Sequence, residues 1–302
     1  MKIKTRRYYI YYLLRVLFFM LRLVPRKTGL FLAGPLGGAA FKYLDKYRGI
    51  ALSNLDKALG PDGQRNTNIA RGVFRNLAMN GVEWFKTISI SRKDLLSLVA
   101  ETEGLDRLEK ALARGRGVVV VASHFGNWEL MPIYLRAMGY KGAVVARRIY
   151  FDRYDKLICS LRNKFGPIVI YRDESPKKIL RVLKDNGIMG ILADQDIKDV
   201  ESVFVDFFGM PAATPVAPVK LAFAAGSALM PWFMVRRPDG RYKLVIEEEI
   251  PLEKGPDREE DVRRYTQAWT NVLERYVRLY PDQWVWIHQR WKTKQPAEAA
   301  LN

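Results

Sequence analysis

Cysteine is almost absent from this chain: Cys159 is the only one in 302 residues. No intrachain disulfide can form, so nothing in the sequence points to an oxidising compartment. Histidine is nearly as scarce. His124 and His288 lie far apart, and with one thiol they make a poor ligand set for zinc. Acid is missing ahead of Asp45. A long uninterrupted apolar run is missing as well. Arg15 and Arg22 break the stretch YYIYYLLRVLFFMLRL, whereas a spanning helix needs about 20 apolar residues with few charges. No small-residue cleavage site follows it, which argues against a secretory signal.

What stands in place of acid is base. Lys2, Lys4, Arg6, Arg7, Arg15, Arg22, Arg26, Lys27 and Lys42 alternate with apolar blocks ahead of Asp45. Arg15 and Arg22 are seven apart and share one helical face. Residues 1–28 are therefore predicted to form a membrane anchor, either a helix lying in the interface or a short tilted one with snorkelling arginines. The basic flank predicts attachment from the cytoplasmic side. The whole chain carries a net charge of +18, which favours anionic partners without choosing among them. Hydrophobic residues make up 49% of the chain, enough for a folded core.

Along the chain, helical spacing dominates about 40–116, as in RGIALSNLDKAL and NIARGVFRNLAMNGVEWFKTI. The pattern then changes. GVVVVASHF, GAVVARR, PIVIYR, GIMGILADQ, VFVDFF, ALMPWFMVRR and YKLVIEEEI read as strands, with helical stretches such as YDKLICSLRNKF and SPKKILRVLKDN between several of them. That alternation predicts an α/β fold with a mainly parallel central sheet flanked by helices. A last helix is expected over about 257–280, and residues 293–302 are expected to be disordered.

The chemistry concentrates in VASHFGNWEL (121–130). His124 and Glu129 are five apart, which on one continuous helix separates them by about 140°. They can meet only if a strand ends before His124, Gly126 turns, and Asn127 caps a helix that presents Glu129. A histidine with a carboxylate partner is a general base. No G-x-S-x-G elbow supplies a nucleophile, and Cys159 lies in a helical pattern that suits packing. A substrate hydroxyl deprotonated by His124 would then attack an activated acyl group directly.

H-x4-E after an apolar strand resembles the H-x4-D/E motif of glycerolipid acyltransferases. The ordered set RGIALSNL (48–55), VASHFGNWEL, LRNKFG (161–166), ADQD (193–196), VFVDFFG with Thr214 (203–214) and PDQWVWIHQRWK (281–292) is similar to one branch, the lipid A biosynthesis (lauroyl/myristoyl-type) acyltransferases. The resemblance covers nearly the whole chain and implies a glycerolipid acyltransferase-like domain over 29–292. It implies transfer of a fatty acyl chain, usually from acyl carrier protein and otherwise from acyl-CoA, to a hydroxyl of a lipid A precursor, on the cytoplasmic face of a bacterial inner membrane, with no metal or cofactor and no covalent acyl-enzyme. Relatives within the branch act on other acceptors, including phosphatidylinositol mannosides.

By the same resemblance His124 is the general base and Glu129 its partner. Arg162 and Asp194 match active-site positions. Arg162 is expected to stabilise an oxyanion or bind a phosphate; Asp194 belongs either to the chemistry or to an ion pair that positions Arg162. Gln195 binds substrate or closes a turn. Arg147 and Arg148 contact a phosphorylated substrate or form a solvated basic edge. Phe204, Phe207 and Phe208 are candidates for an acyl pocket, with core packing as the alternative. His288 is expected to be structural, and Thr214 and Arg290 match the pattern without a role. A competing class is a non-catalytic basic protein bound to membrane or nucleic acid. It leaves His124 and Glu129 unexplained, and no recognisable nucleic-acid motif is present.

Overall fold

The computed structural model describes residues 2–87, 89–165 and 168–295. Four helices come first: α1 (Lys2–Leu23), α2 (Arg26–Tyr43), α3 (Asp45–Leu59) and α4 (Gly63–Lys86). They are followed by α5 (Arg92–Leu98), β1 (Val99–Glu103), α6 (Leu105–Leu112), β2 (Val118–Ala122), α7 (Leu130–Met138), β3 (Gly142–Ala146) and α8 (Asp152–Arg162). The chain continues through β4 (Ile168–Tyr171), α9 (Pro176–Lys184), β5 (Ile188–Leu192), β6 (Ser202–Phe207), β7 (Met210–Pro215) and α10 (Ala217–Ala225). It ends with β8 (Ala228–Arg236), β9 (Tyr242–Ile246), α11 (Arg258–Leu279) and a 3₁₀ turn, Pro281–Gln283.

Seven strands form one sheet in the order β1-β9-β8-β2-β5-β3-β4. β8, β2, β5, β3 and β4 are parallel; β9 runs antiparallel to β8 and parallel to β1. All five residues of β2 and all nine of β8 are buried, as expected of strands covered on both faces. The valines divide by alternation. Val119 and Val121 enter one core with α3, α4, α9, α10 and α11; Val118 and Val120 enter the other with α5, α6 and α7. The molecule is thus a mixed α/β fold of three layers, with a mainly parallel sheet between helices.

Two expectations change. β1 lies inside the stretch read as helical. Its VAETE sequence is largely exposed at the sheet edge, so it carries none of the apolar signal of a central strand. VFVDFF is a strand, but it pairs only with β7, in a separate antiparallel hairpin that α11 and the aromatic core cover.

At the N-terminus Pro25 separates α1 from α2, and α2 packs on α4. Gly37 permits this close approach: a Cβ there would lie 2.6 Å from the Arg75 Cα. Tyr9, Tyr12, Leu13, Val16, Phe19, Met20 and Leu23 form an exposed stripe at helical spacing along α1, continued on α2 by Phe31, Leu32 and Leu36. Among the described residues no helix is long and apolar enough to cross a membrane. Arg15 is exposed beside this stripe, while the Arg22 side chain and residues 296–302 of the expected tail lie outside the described residues.

Candidate active site

Strand register builds the site. β2 and β5 are parallel neighbours with Ala122 paired to Leu192. Two residues beyond each end, the chain reaches His124 and Asp194, so these two groups emerge side by side at the carboxyl edge of the sheet. Asp194 accepts from the His124 ring, Nδ1 to Oδ1 at 2.8 Å, and from the His124 backbone N–H at 2.9 Å. The Trp284 indole donates to its other oxygen at 2.9 Å. Asp194 is 1% exposed and the His124 side chain 20% exposed. Burial alone would raise the Asp194 carboxyl. The His124 charge and the hydrogen bonds from His124 and Trp284 outweigh it and hold the pKa at about 2. An ionised carboxylate only accepts, so Nδ1 carries the ring proton and Nε2 is left as the basic nitrogen.

The partner of His124 is therefore Asp194, and the expectation that Glu129 orients the ring is corrected. Glu129 instead receives Arg162 on both oxygens, from Nε at 2.9 Å and from a terminal nitrogen at 2.5 Å. The strand–turn–helix junction forms largely as expected: the Asn127 side chain accepts from the Leu130 N–H at 3.2 Å. Glu129 sits in that turn with helical dihedrals, just ahead of α7, and is aimed toward α8, which carries Arg162. The alternative in which Asp194 positions Arg162 falls with the same geometry.

His288 is not remote packing. Its ring centroid lies 5.5 Å from that of His124. Gln195 joins the two, with its amide nitrogen 2.7 Å from His288 Nε2 and 3.2 Å from His124 Nε2. Burial, reinforced by the His124 charge, pushes the His288 pKa down. The Trp128 ring stands edge-on to His124 at 5.2 Å. Arg290, fully buried, donates to the Ala213 carbonyl at 2.6 Å and to Thr214 Oγ1 at 2.5 Å, which ties the β6–β7 hairpin to the C-terminal segment. Burial lowers its pKa to about 10, partly opposed by the charges of Asp194 and Asp196.

An apolar cavity opens beside this edge. Trp128, Glu129 and Arg162 line it near the site; Val120, Met131, Leu135, Val144, Gly190 and Trp232 line its walls between the sheet and α7. It encloses about 710 Å³ of empty space, counting its open mouth. Phe204, Phe207 and Phe208 do not line it. Phe207 and Phe208 are buried in the other core, with Phe207 stacked 5.8 Å from Trp291, so the packing alternative holds for them. Phe204 stays half-buried on the hairpin. Arg148 is half exposed, stacks 3.9 Å over Tyr171 and faces Asp173 at 3.6 Å; Arg147 is exposed.

Sequence reading named Gly126 and Asn127 for the turn but missed the α4 residues that hold it. Gly126 has φ +55°, and a Cβ there would sit 1.8 Å from the Met234 carbonyl. Its N–H donates to the Gln283 carbonyl at 2.8 Å, the Asn127 N–H to the Met234 carbonyl at 3.1 Å, and Asn80 to the Gly126 carbonyl at 2.5 Å. Asn80 and Glu83 are polar residues on the buried face of α4, and that breach of the apolar pattern was the available signal.

A histidine braced by a buried carboxylate thus stands beside an apolar cavity, and similarity to known proteins makes the chain an acyltransferase. Residues 1–293 match the bacterial lipid A biosynthesis acyltransferase family, and the chain belongs to it. It is 30% identical over 290 residues to the lipid A biosynthesis palmitoleoyltransferase of Escherichia coli K12, covering 92% of this chain and 89% of that protein. The lipid A biosynthesis lauroyltransferase of the same organism is 27% identical, covering 86% and 83%. A phosphatidylinositol mannoside acyltransferase of Mycobacterium tuberculosis (CDC 1551 / Oshkosh) is 29% identical, covering 73% and 66%.

The depressed Asp194 pKa has a measurable consequence. The folded value lies below the unfolded one, so the ionised carboxylate stabilises the fold above about pH 4 and loses that effect as the pH falls toward 2, about 2 kcal/mol in all. In urea unfolding followed from pH 7 to 2, Asp194→Asn is expected to be less stable at neutral pH and to lose less stability across that window. Parallel curves for the two proteins would refute the assignment.

Proposed function

We propose that the protein transfers a fatty acyl chain from an acyl thioester to a hydroxyl of a lipid A precursor, with His124 as general base. The observation that carries this reading is the His124 Nδ1–Asp194 contact, which leaves Nε2 basic at the sheet edge. Nε2 takes the hydroxyl proton as the oxygen attacks the thioester carbonyl. The tetrahedral intermediate collapses, the C–S bond breaks, and the departing thiolate takes the proton from the imidazolium. Asp194 stabilises that imidazolium throughout. No enzyme-bound acyl group is needed.

The acyl chain occupies the apolar cavity, with Arg162 at its mouth supplying positive charge near the developing oxyanion. Glu129 holds Arg162 in place. Acyl carrier protein is the donor that a chain of charge +18 attracts. A lipid A precursor is preferred as acceptor because the two Escherichia coli lipid A enzymes align over more of both chains than the Mycobacterium tuberculosis mannoside acyltransferase does. The exposed stripe on α1 and α2 lies in the interface of the bacterial inner membrane, on its cytoplasmic face, flanked by Arg15, Lys27 and Lys42.

Purified protein with acyl carrier protein loaded with a labelled chain tests the chemistry. His124→Ala and Asp194→Asn are each expected to lower kcat about 10²–10⁴-fold while both variants stay folded. Transfer at the wild-type rate by His124→Ala would overturn the mechanism. Offering a lipid A precursor and a phosphatidylinositol mannoside in the same assay decides the acceptor.

The cavity makes a second prediction. Gly190 lies on its wall, and a Cβ there would meet Val144 Cγ1 at 3.4 Å. Gly190→Val is expected to move the preferred chain about two carbons or more shorter, read by mass spectrometry of the product; an unaltered preference would place the chain elsewhere.

For the membrane face, Leu13→Glu with Phe31→Glu is expected to reduce flotation with phosphatidylglycerol vesicles about tenfold or more. Full retention of binding would remove α1 and α2 from the interface.

A further inference from the structure

We propose that Glu83 is a positioning residue for the turn that carries His124, and that Arg26 links it to the N-terminal helices. The proposal rests on the reading of His124 as the base. Glu83 is 3% exposed in the last part of α4. Arg26 donates to its Oε1 from Nε at 2.9 Å and also from a terminal nitrogen. Oε2 receives Arg236 at 2.7 Å, the Tyr242 hydroxyl, and the Asn127 amide at 3.2 Å. Buried ion clusters of this kind are weak sources of stability compared with apolar packing. Their use lies in what they fix.

Here they fix the turn after His124. A carboxylate only accepts, so the Asn127 amide must present its nitrogen to Glu83 and its oxygen to the Leu130 N–H. The Tyr242 hydroxyl accepts from the same amide nitrogen at 2.9 Å. One turn earlier on α4, Asn80 accepts from Arg236 at 2.7 Å and holds the Gly126 carbonyl. Glu83 and Asn80 thereby pin both sides of the Gly126–Asn127 peptide. Without the Glu83 charge the Asn127 amide is free to reverse, and α7 loses its cap.

Arg26 connects this lock to the surface. It opens α2 directly after Pro25 and also donates to the Gly240 carbonyl at 2.5 Å, in the β8–β9 turn. Beside it, Lys86 donates to the Leu21 carbonyl at 2.9 Å and to that of Val24, closing the end of α1. The junction of the two helices with the exposed apolar stripe is thus seated on the part of α4 that holds the turn. Docking of those helices and placement of His124 share one carboxylate.

The test uses the full chain with lauroyl-acyl carrier protein as probe. Glu83→Gln is expected to lower kcat about 10- to 100-fold with KM nearly unchanged, since misplacing a base by a fraction of an ångström acts on the chemical step. Backbone amides of 124–129 should exchange hydrogen faster. Arg26→Met, which leaves the Arg236, Tyr242 and Asn127 contacts intact, should give the same split with a smaller loss, and it carries the test alone should Glu83→Gln fail to fold. Leu108→Val, a destabilising change on α6 outside the cavity lining and the Glu83 cluster, should leave kcat within about twofold. Wild-type kcat in folded Glu83→Gln and Arg26→Met, or an equal loss in Leu108→Val, would overturn the positioning role. Activity surviving in His124→Ala would instead overturn the base on which it rests.

Discussion

A backbone turn with no room for a side chain governs this molecule. At Gly126 the chain passes so close to the Met234 carbonyl that a Cβ would lie inside it. That approach lets the turn hydrogen-bond to the end of β8, to the segment after α11 and to α4 at once. The ends of three distant stretches of sequence therefore meet within a few residues of His124. A larger residue at this position would separate them and displace the imidazole from Asp194, whatever the rest of the sheet did.

The site is held by charges kept out of water, each matched in its own way. Asp194 is matched by donors converging from His124 and Trp284. Glu83 is matched by two arginines, and Arg290 by a carbonyl and a hydroxyl. Desolvation works against every one of these ions, so removing a single partner leaves an uncompensated charge rather than a simple gap. The core thus shares the basic excess of the whole chain, +18: Glu83 serves two arginines, and Arg290 is met by neutral oxygens alone.

Much of the frame was legible from pattern alone. The valine run of β2, the alternation of strands with helices and the strand–turn–helix junction at Asn127 follow from local rules of periodicity and capping. The motif also placed His124 and Asp194 at strand ends. Where pattern went astray was in which carboxylate faces the ring: it named Glu129, and the structure sets Asp194 there. That depends on the register of β2 against β5, two strands about 70 residues apart, and no local spacing encodes it. The nearness of His288 to His124 was hidden for a similar reason: it arrives on the segment after α11. Phe207 and Phe208 share their composition with an acyl pocket, but an aromatic side chain in sequence does not say which of two cores it enters. β1 was overlooked because an exposed edge strand lacks the apolar signal that marked its neighbours.

The cavity against β2, β3 and β5 is also a flaw in packing. Its apolar walls lack the protein contacts that a filled core would supply along the middle of the sheet. Any apolar chain that fills it restores those contacts and shifts the folding equilibrium by mass action. The molecule then resists heat and proteolysis best while loaded and least while empty.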